Sequence, residues 1–268
     1  MPDATTHHAL RLCRAMGQEL ASLGINLNFA PVLDIHTNPK NPVIGERAFG
    51  KTADSVIAAA LPFVEALQGE KIIACGKHFP GHGDTSIDSH LGLPSQTPGL
   101  DALRVRELKP FAAAIDSGLS MILLAHMLYP AVDPDAPVAL SRRFATNVLR
   151  EELGFAGVAV SDDIGMGAMK GLFDSPDAAV RLIESGCDMV MVCAHFTGTG
   201  RVRGFAHAIL AAAEEGRLDP GLLARSRARV ESLLARVPSN EVELLPQDVF
   251  RAHANAAALY DAATVEVV

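Results

Sequence analysis

The feature that most limits how this chain can fold is a fivefold alternation of short apolar runs with longer helical patterns. The runs cover residues 25–33, 71–75, 121–125, 157–160 and 189–193, and each is bounded by Gly, Pro, Asp or His. They are too short for helices and too apolar for half-exposed strands, so they predict the buried strands of a parallel sheet. Helical patterns at 5–23, 54–68, 100–117, 141–152 and 175–185 lie between them, and Gly24, Gly118, Gly154 and Gly186 stand where left-handed caps are wanted. Repeated βα units of this kind predict an α/β fold around a parallel sheet. Two more helical stretches follow at about 203–215 and 220–236, then a less regular tail over 237–268. The chain has 268 residues, 49% of them hydrophobic, and no linker or low-complexity segment, so residues 1–268 are expected to form one domain.

Composition narrows the partners. A net charge of −8 with no concentrated basic patch argues against a nucleic-acid surface. Residues 1–19 are polar and lack the apolar core of a signal peptide, and the longest apolar stretches are too short to cross a bilayer. A cytoplasmic protein without membrane contact is the expectation. Cys13, Cys75, Cys187 and Cys193 are dispersed in apolar or helical contexts without a Cys-x-x-Cys pair, and read as small core residues in a reducing compartment.

The polar candidates gather at one end of the units. Asp34 follows the first run, the loop 77–90 the second, His126 the third, Ser161-Asp162-Asp163 the fourth and His195 the fifth. Groups just beyond the carboxyl ends of parallel strands are what α/β enzymes place around a substrate. The loop 77–90 carries three histidines, two aspartates and a lysine on a stretch broken by Pro80, Gly81 and Gly83, a density that folding alone does not require. Asp88 and His90 sit two apart, so the carboxylate can orient the imidazole for proton transfer. Asp162, on a strand end, suits a nucleophile, a general base or a metal ligand. Asp163 is expected to point elsewhere and cap a following helix. For Asp34, His126 and His195 a structural part is the plainer reading, since a strand-end Asp often caps the next helix.

The segment Lys77-His78-Phe79-Pro80-Gly81-His82-Gly83, followed by Asp88-Ser89-His90 and by Ser161-Asp162-Asp163 with Met166, closely resembles the β-N-acetylglucosaminidases of glycoside hydrolase family 3. Phe29-Ala30-Pro31-Val32-Leu33-Asp34, Ile44-Gly45-Glu46-Arg47 and Leu153-Gly154-Phe155-Ala156-Gly157-Val158 match the same family, in order. The resemblance implies a (β/α)8 TIM-barrel type of fold and a retaining hydrolase. Asp162 would be the nucleophile and His90, oriented by Asp88, the acid/base, while Arg47, Lys77 and His78 would hold the sugar. It further implies a terminal β-linked N-acetylglucosamine on a muropeptide as the carbohydrate substrate, cytoplasmic cell-wall recycling as the setting, no cofactor and no metal.

Relative to that family the chain is expected to be N-terminally incomplete. The pattern of the first three βα units, with the Asp-x-Glu-Gly-Gly segment whose aspartate grips the sugar, is absent, so the five strands correspond to the fourth through eighth. An open, curved sheet is expected, with unpaired edges at 25–33 and 189–193 and an inner face of exposed apolar residues. The full-length family is expected to be monomeric, and this chain to self-associate and hydrolyse little. Two alternatives stand beside the glycosidase: an inactive or binding-only member of the family, and a zinc-dependent hydrolase using His78, His82, Asp84 and His90. A dinucleotide site at 198–204 is rejected because its third glycine falls one place late.

Overall fold

The computed structural model describes residues 4–171, 174–193, 200–237 and 244–265. Its elements run α1 (Ala4–Ser22), β1 (Leu27–Asn28), α2 (Ala53–Gly69), β2 (Ile73–Phe79), α3 (Leu100–Val105), α4 (Leu108–Asp116), β3 (Met121–Leu124), a π-type helix (Arg143–Glu152), β4 (Val158–Ser161), α5 (Asp177–Ser185), α6 (Gly200–Glu214), α7 (Pro220–Leu234) and α8 (Gln247–Val265). The strands form one four-stranded sheet in the order β1-β2-β3-β4, every pair parallel, and the sheet does not close. Gly24, Gly118, Gly154 and Gly186 all take positive φ, as their places at helix ends require. Among the described residues the four cysteines form no disulfide, and Cys75 and Cys187 are buried.

Several elements depart from the sequence expectation for physical reasons. The first run pairs regularly only over Leu27–Asn28, with an isolated bridge from Val32 to Lys77. Pro31 has no N–H to give, and its carbonyl accepts from Lys77 instead. The helix expected over 100–117 is two helices, because the ring of Pro110 would clash with the carbonyl of Arg106 one turn earlier, where the break falls. The strand β2 runs through Lys77 and His78 to Phe79, so both residues stand on a strand end rather than in the loop. The tail is more ordered than its composition implied: α8 packs on α1, with His253 Nδ1 2.9 Å from Glu19 Oε1. His195 and positions 198 and 199 lie outside the described residues.

The run 189–193 lies parallel beside β4 with one bridge, from Val160 to Met189. Side chains complete the attachment, since Met191 N donates to Ser161 Oγ at 3.0 Å and Cys193 N to Asp163 Oδ1 at 3.0 Å. Among the described residues neither outer edge of the sheet has a further strand, and Ile25, Phe29 and Met189 remain substantially exposed there.

Side chains alternate between two apolar layers. Ile72, Ala74, Ile122, Leu124 and Ala159 pack beneath the helices, whereas Ile73, Cys75, Met121, Leu123, Val158 and Val160 face the other way. This second face was expected to be exposed, and it is not: its members are 0–5% accessible. Val230 and Leu233 of α7, with Leu27 and Met191, cover it. Helix, sheet and edge run are tied by Asp188, whose carboxylate meets Arg150 at 2.5 Å, Arg229 at 3.0 Å, Ser226 Oγ at 2.8 Å and the Ala159 N–H at 2.9 Å.

Removing one partner of a buried ionic cluster leaves its counter-charges unpaired. The Asp188→Ala variant should therefore lose about 3–5 kcal/mol of folding stability in denaturant titrations. A loss under about 1 kcal/mol would mean that the cluster behaves like a surface pair.

Candidate functional site

The site is organised from beneath by Asp34, which is fully buried. Its Oδ1 accepts the main-chain N–H of His78 at 3.1 Å and of His82 at 2.7 Å, while Oδ2 lies 2.6 Å from His78 Nδ1. Burial alone would raise the pKa of this carboxyl, but His78 and His82 outweigh it and hold the group below its ordinary value. Asn41 fastens the same two segments: its Nδ2 donates to the His82 carbonyl at 2.8 Å and to Thr85 Oγ1 at 3.1 Å. Gly83 makes the approach feasible, because a Cβ there would lie 1.7 Å from the carbonyl oxygen of Ile35.

A pocket of ≈200 Å³ opens above this frame. Arg47, Lys77, His78, His82, His90 and Asp162 line it, and Phe29, Leu123 and Met191 give it an apolar wall. The sequence-predicted Asp162, His90, Arg47, Lys77 and His78 are thus brought together. Partial burial, and then the neighbouring Arg47 charge, lower the pKa of the Lys77 ammonium. Burial lowers that of His82 too, which favours a neutral imidazole. A larger cavity of ≈480 Å³ sits at the amino ends of β3 and β4 beside Ser120, Gly157 and Arg236. None of the loop's histidines reaches it, and parallel-strand enzymes react substrates at the opposite end, so the smaller pocket is the candidate active site.

Asp88 does not line the pocket but pairs with His90, which does: its Oδ1 accepts the His90 main-chain N–H at 2.8 Å and lies 2.7 Å from His90 Nδ1. Desolvation pushes the Asp88 carboxyl upward, but the His90 N–H and ring outweigh it and the pKa falls. Asp163 does not cap a helix. It is buried, and its Oδ1 takes the N–H groups of Gly165 and Cys193. His126 is buried with Nε2 3.2 Å from the Asp163 carbonyl, and burial lowers its pKa. Neither His126 nor Asp34 lines the pocket.

The four residues of the zinc alternative are spoken for separately. His78 Nδ1 faces Asp34, His82 Nδ1 faces Thr85 Oγ1 at 2.7 Å, His90 Nδ1 faces Asp88, and Asp84 pairs with Arg106 at 2.8 Å. Among the described residues no three His, Cys, Asp or Glu converge to hold a metal ion. The sequence did not single out Asn41, Thr85 or Met191, and Phe29 entered only as the first residue of a family-matching segment. The only available signal was the reading of 189–193 as a strand, whose two-residue period puts Met191 on the same face as Met189 and Cys193.

A family profile described as the glycosyl hydrolase family 3 N terminal domain matches residues 3–233. The chain is 35% identical over 252 residues to a beta-hexosaminidase A of Pseudoalteromonas piscicida, covering 88% of this chain and 42% of that protein. To a beta-hexosaminidase of Nitrosomonas eutropha it is 36% identical over 192 residues, 72% of this chain and 55% of that one. A solved family 3 beta-N-acetylglucosaminidase of Paenibacillus sp. superposes with a TM-score of 0.85 at 36% identity, covering 94% of this chain and 49% of that chain. The chain spans about half the length of these relatives.

Asp34 gives the site a sharp dependence on acid. Because its pKa is depressed in the folded state, its stabilising contribution is fully present above the unfolded value of 3.8 and is lost as the pH falls through the lower folded value. At pH 7 Asp34→Asn should cost about 1.5–3 kcal/mol, the range for hydrogen bonds to a charged group. Chemical denaturation at stepped pH should show that difference shrinking below 3.8; a difference that grows with acid would contradict the assignment.

Proposed function

The chain belongs to glycosyl hydrolase family 3, and from that premise we propose that it is a retaining β-N-acetylglucosaminidase acting on terminal β-linked N-acetylglucosamine. The observation that carries the reading is the convergence of Asp162 and His90, whose ring is paired with Asp88, on one pocket with Arg47, Lys77 and His78. In the proposed reaction the Asp162 carboxylate attacks the anomeric carbon as the bond to the leaving oxygen breaks, forming a glycosyl ester. His90 gives its proton to that oxygen, then takes one from the water that hydrolyses the ester. Asp88 supports the imidazolium and fixes the ring. The usual glycosidase scheme of two carboxylates is thereby replaced by one carboxylate and a paired histidine.

Arg47 and Lys77 offer donors to sugar hydroxyls, and His78, with Nδ1 committed to Asp34, offers Nε2. The pocket's size suits one sugar residue rather than a chain. On the sequence resemblance, the proposed substrate is a muropeptide and the proposed setting is cytoplasmic cell-wall recycling. Among the described residues no helix is long and apolar enough to cross a membrane. We read the four strands of the sheet, together with the run 189–193 beside β4, as the fourth through eighth strands of a (β/α)8 barrel, and the two unpaired edges as the surfaces through which this chain would self-associate.

Two experiments test the roles. Incubation with a 5-fluoro N-acetylglucosaminyl fluoride should leave a covalent label on Asp162 by peptide mass spectrometry; a label on Asp163 would overturn the nucleophile. In the second, His90→Ala should cut kcat/KM by about 10²–10⁴ on substrates with poor leaving groups, the usual worth of general acid catalysis, and far less on activated aryl glycosides. Asp88→Asn should show a weaker form of the same contrast. Equal losses on both substrate types would count against the pair.

A further inference from the structure

Resting on that reading, the geometry of a turn beyond the nucleophile points to the element that sets the reach of the acid/base. His90 stands on the long segment between β2 and α3, its side chain 50% exposed, next to Leu91 at 83%. Side-chain packing therefore does little to fix it. The Asp88 contacts are local, within the same loop. What fastens the main chain to the rest of the fold at this point is the turn Gly167–Met169: Gly167 N donates to the His90 carbonyl at 3.1 Å and Ala168 N to the Ser89 carbonyl at 3.0 Å. That turn follows Asp162 by a few residues, so the two reacting groups are referenced to one strand end.

The clamp depends on residue 167 having no side chain. A Cβ there would lie 2.5 Å from the His90 carbonyl oxygen, 2.9 Å from the Leu91 carbonyl carbon and 3.0 Å from its oxygen. All three are main-chain atoms, so no side chain can rotate away and the loop itself must move. The φ of Gly167 is outside the left-handed region, unlike that of Gly171. Alanine is thus compatible with the local backbone, and its effect would be transmitted through the loop.

We propose that Gly167 is a positioning residue for the acid/base: its bare main chain clamps Ser89–His90 and so sets the distance at which the His90 imidazole meets the leaving group. A retaining mechanism is sensitive to that spacing, and a misplacement of about 1 Å in a reacting group costs on the order of 10²-fold in rate.

The test is Gly167→Ala in the full chain, alone and combined with His90→Ala. The single variant should lose about 10²-fold in kcat/KM on substrates with poor leaving groups and little on activated aryl glycosides. On activated aryl glycosides, where breakdown of the glycosyl ester limits kcat, azide should raise kcat and yield the glycosyl azide, because it attacks that ester without needing a base. In the His90→Ala background the second substitution should add nothing, because both act through one imidazole. Losses that are equal on both substrate classes, or that add in full to those of His90→Ala, would overturn the proposal. Hydrogen exchange reads the clamp without turnover: the Ala168 amide should exchange at least tenfold faster in Gly167→Ala, and unchanged exchange would overturn the proposal as well. A wild-type chain that turns over no β-N-acetylglucosaminide while its Ala168 amide responds as stated would instead count against the function proposed above and leave the clamp standing.

Discussion

A single buried carboxylate underlies the geometry of this site. Asp34 receives two main-chain N–H groups and an imidazole from the segment 78–82, and no polar side chain could leave that position empty without stranding all three. The contact does more than join two loops. It draws the end of β2 against the segment after β1, fixes which nitrogen of His78 is left for a ligand, and sets the start of the loop that ends at His90. A carboxylate is suited to this task because it accepts several donors at once, and its burial makes each of those bonds costly to break.

The other end of the site is governed by strand parity. Ser161 and Asp163 lie on one side of the end of β4, and both hold the main chain of the run 189–193. Asp162, between them, faces the pocket. Three consecutive polar residues thus divide into two that attach a neighbouring strand and one that is left for chemistry. The attachment matters because that run makes only one regular bridge to the sheet. Below, Asp188 ties the π-type helix, β4 and α7 together, so the strand that carries Asp162 is held from both its ends.

Much of this was legible in the sequence, and the parts that were not share a cause. Local signals placed most of the helices, the four glycine caps and the apolar runs that supply the strands, because apolar periodicity and left-handed turns are properties of short windows. The pairing of Asp88 with His90 was legible because the two are neighbours in the chain. The bond from Asp34 to His78 was not, since it spans 44 positions and nothing in either segment names the other. For the same reason Asn41 and Thr85 went unnoticed. The buried inner face was misjudged because its cover comes from Val230 and Leu233 on a distant helix. The end of β2 was misplaced because Lys77 and His78 are polar, and tertiary demands overrode a pattern that reads as loop.

The central claim is that Asp162 attacks the sugar directly and that water then arrives from the same face that the leaving group vacated. The anomeric configuration of the first product reports this most directly. Proton NMR during early turnover of an aryl β-N-acetylglucosaminide, before mutarotation, should show β-N-acetylglucosamine appearing first and the α-anomer growing in later. Initial release of the α-anomer would mean a single displacement by water, and would contradict the account of Asp162 as a nucleophile.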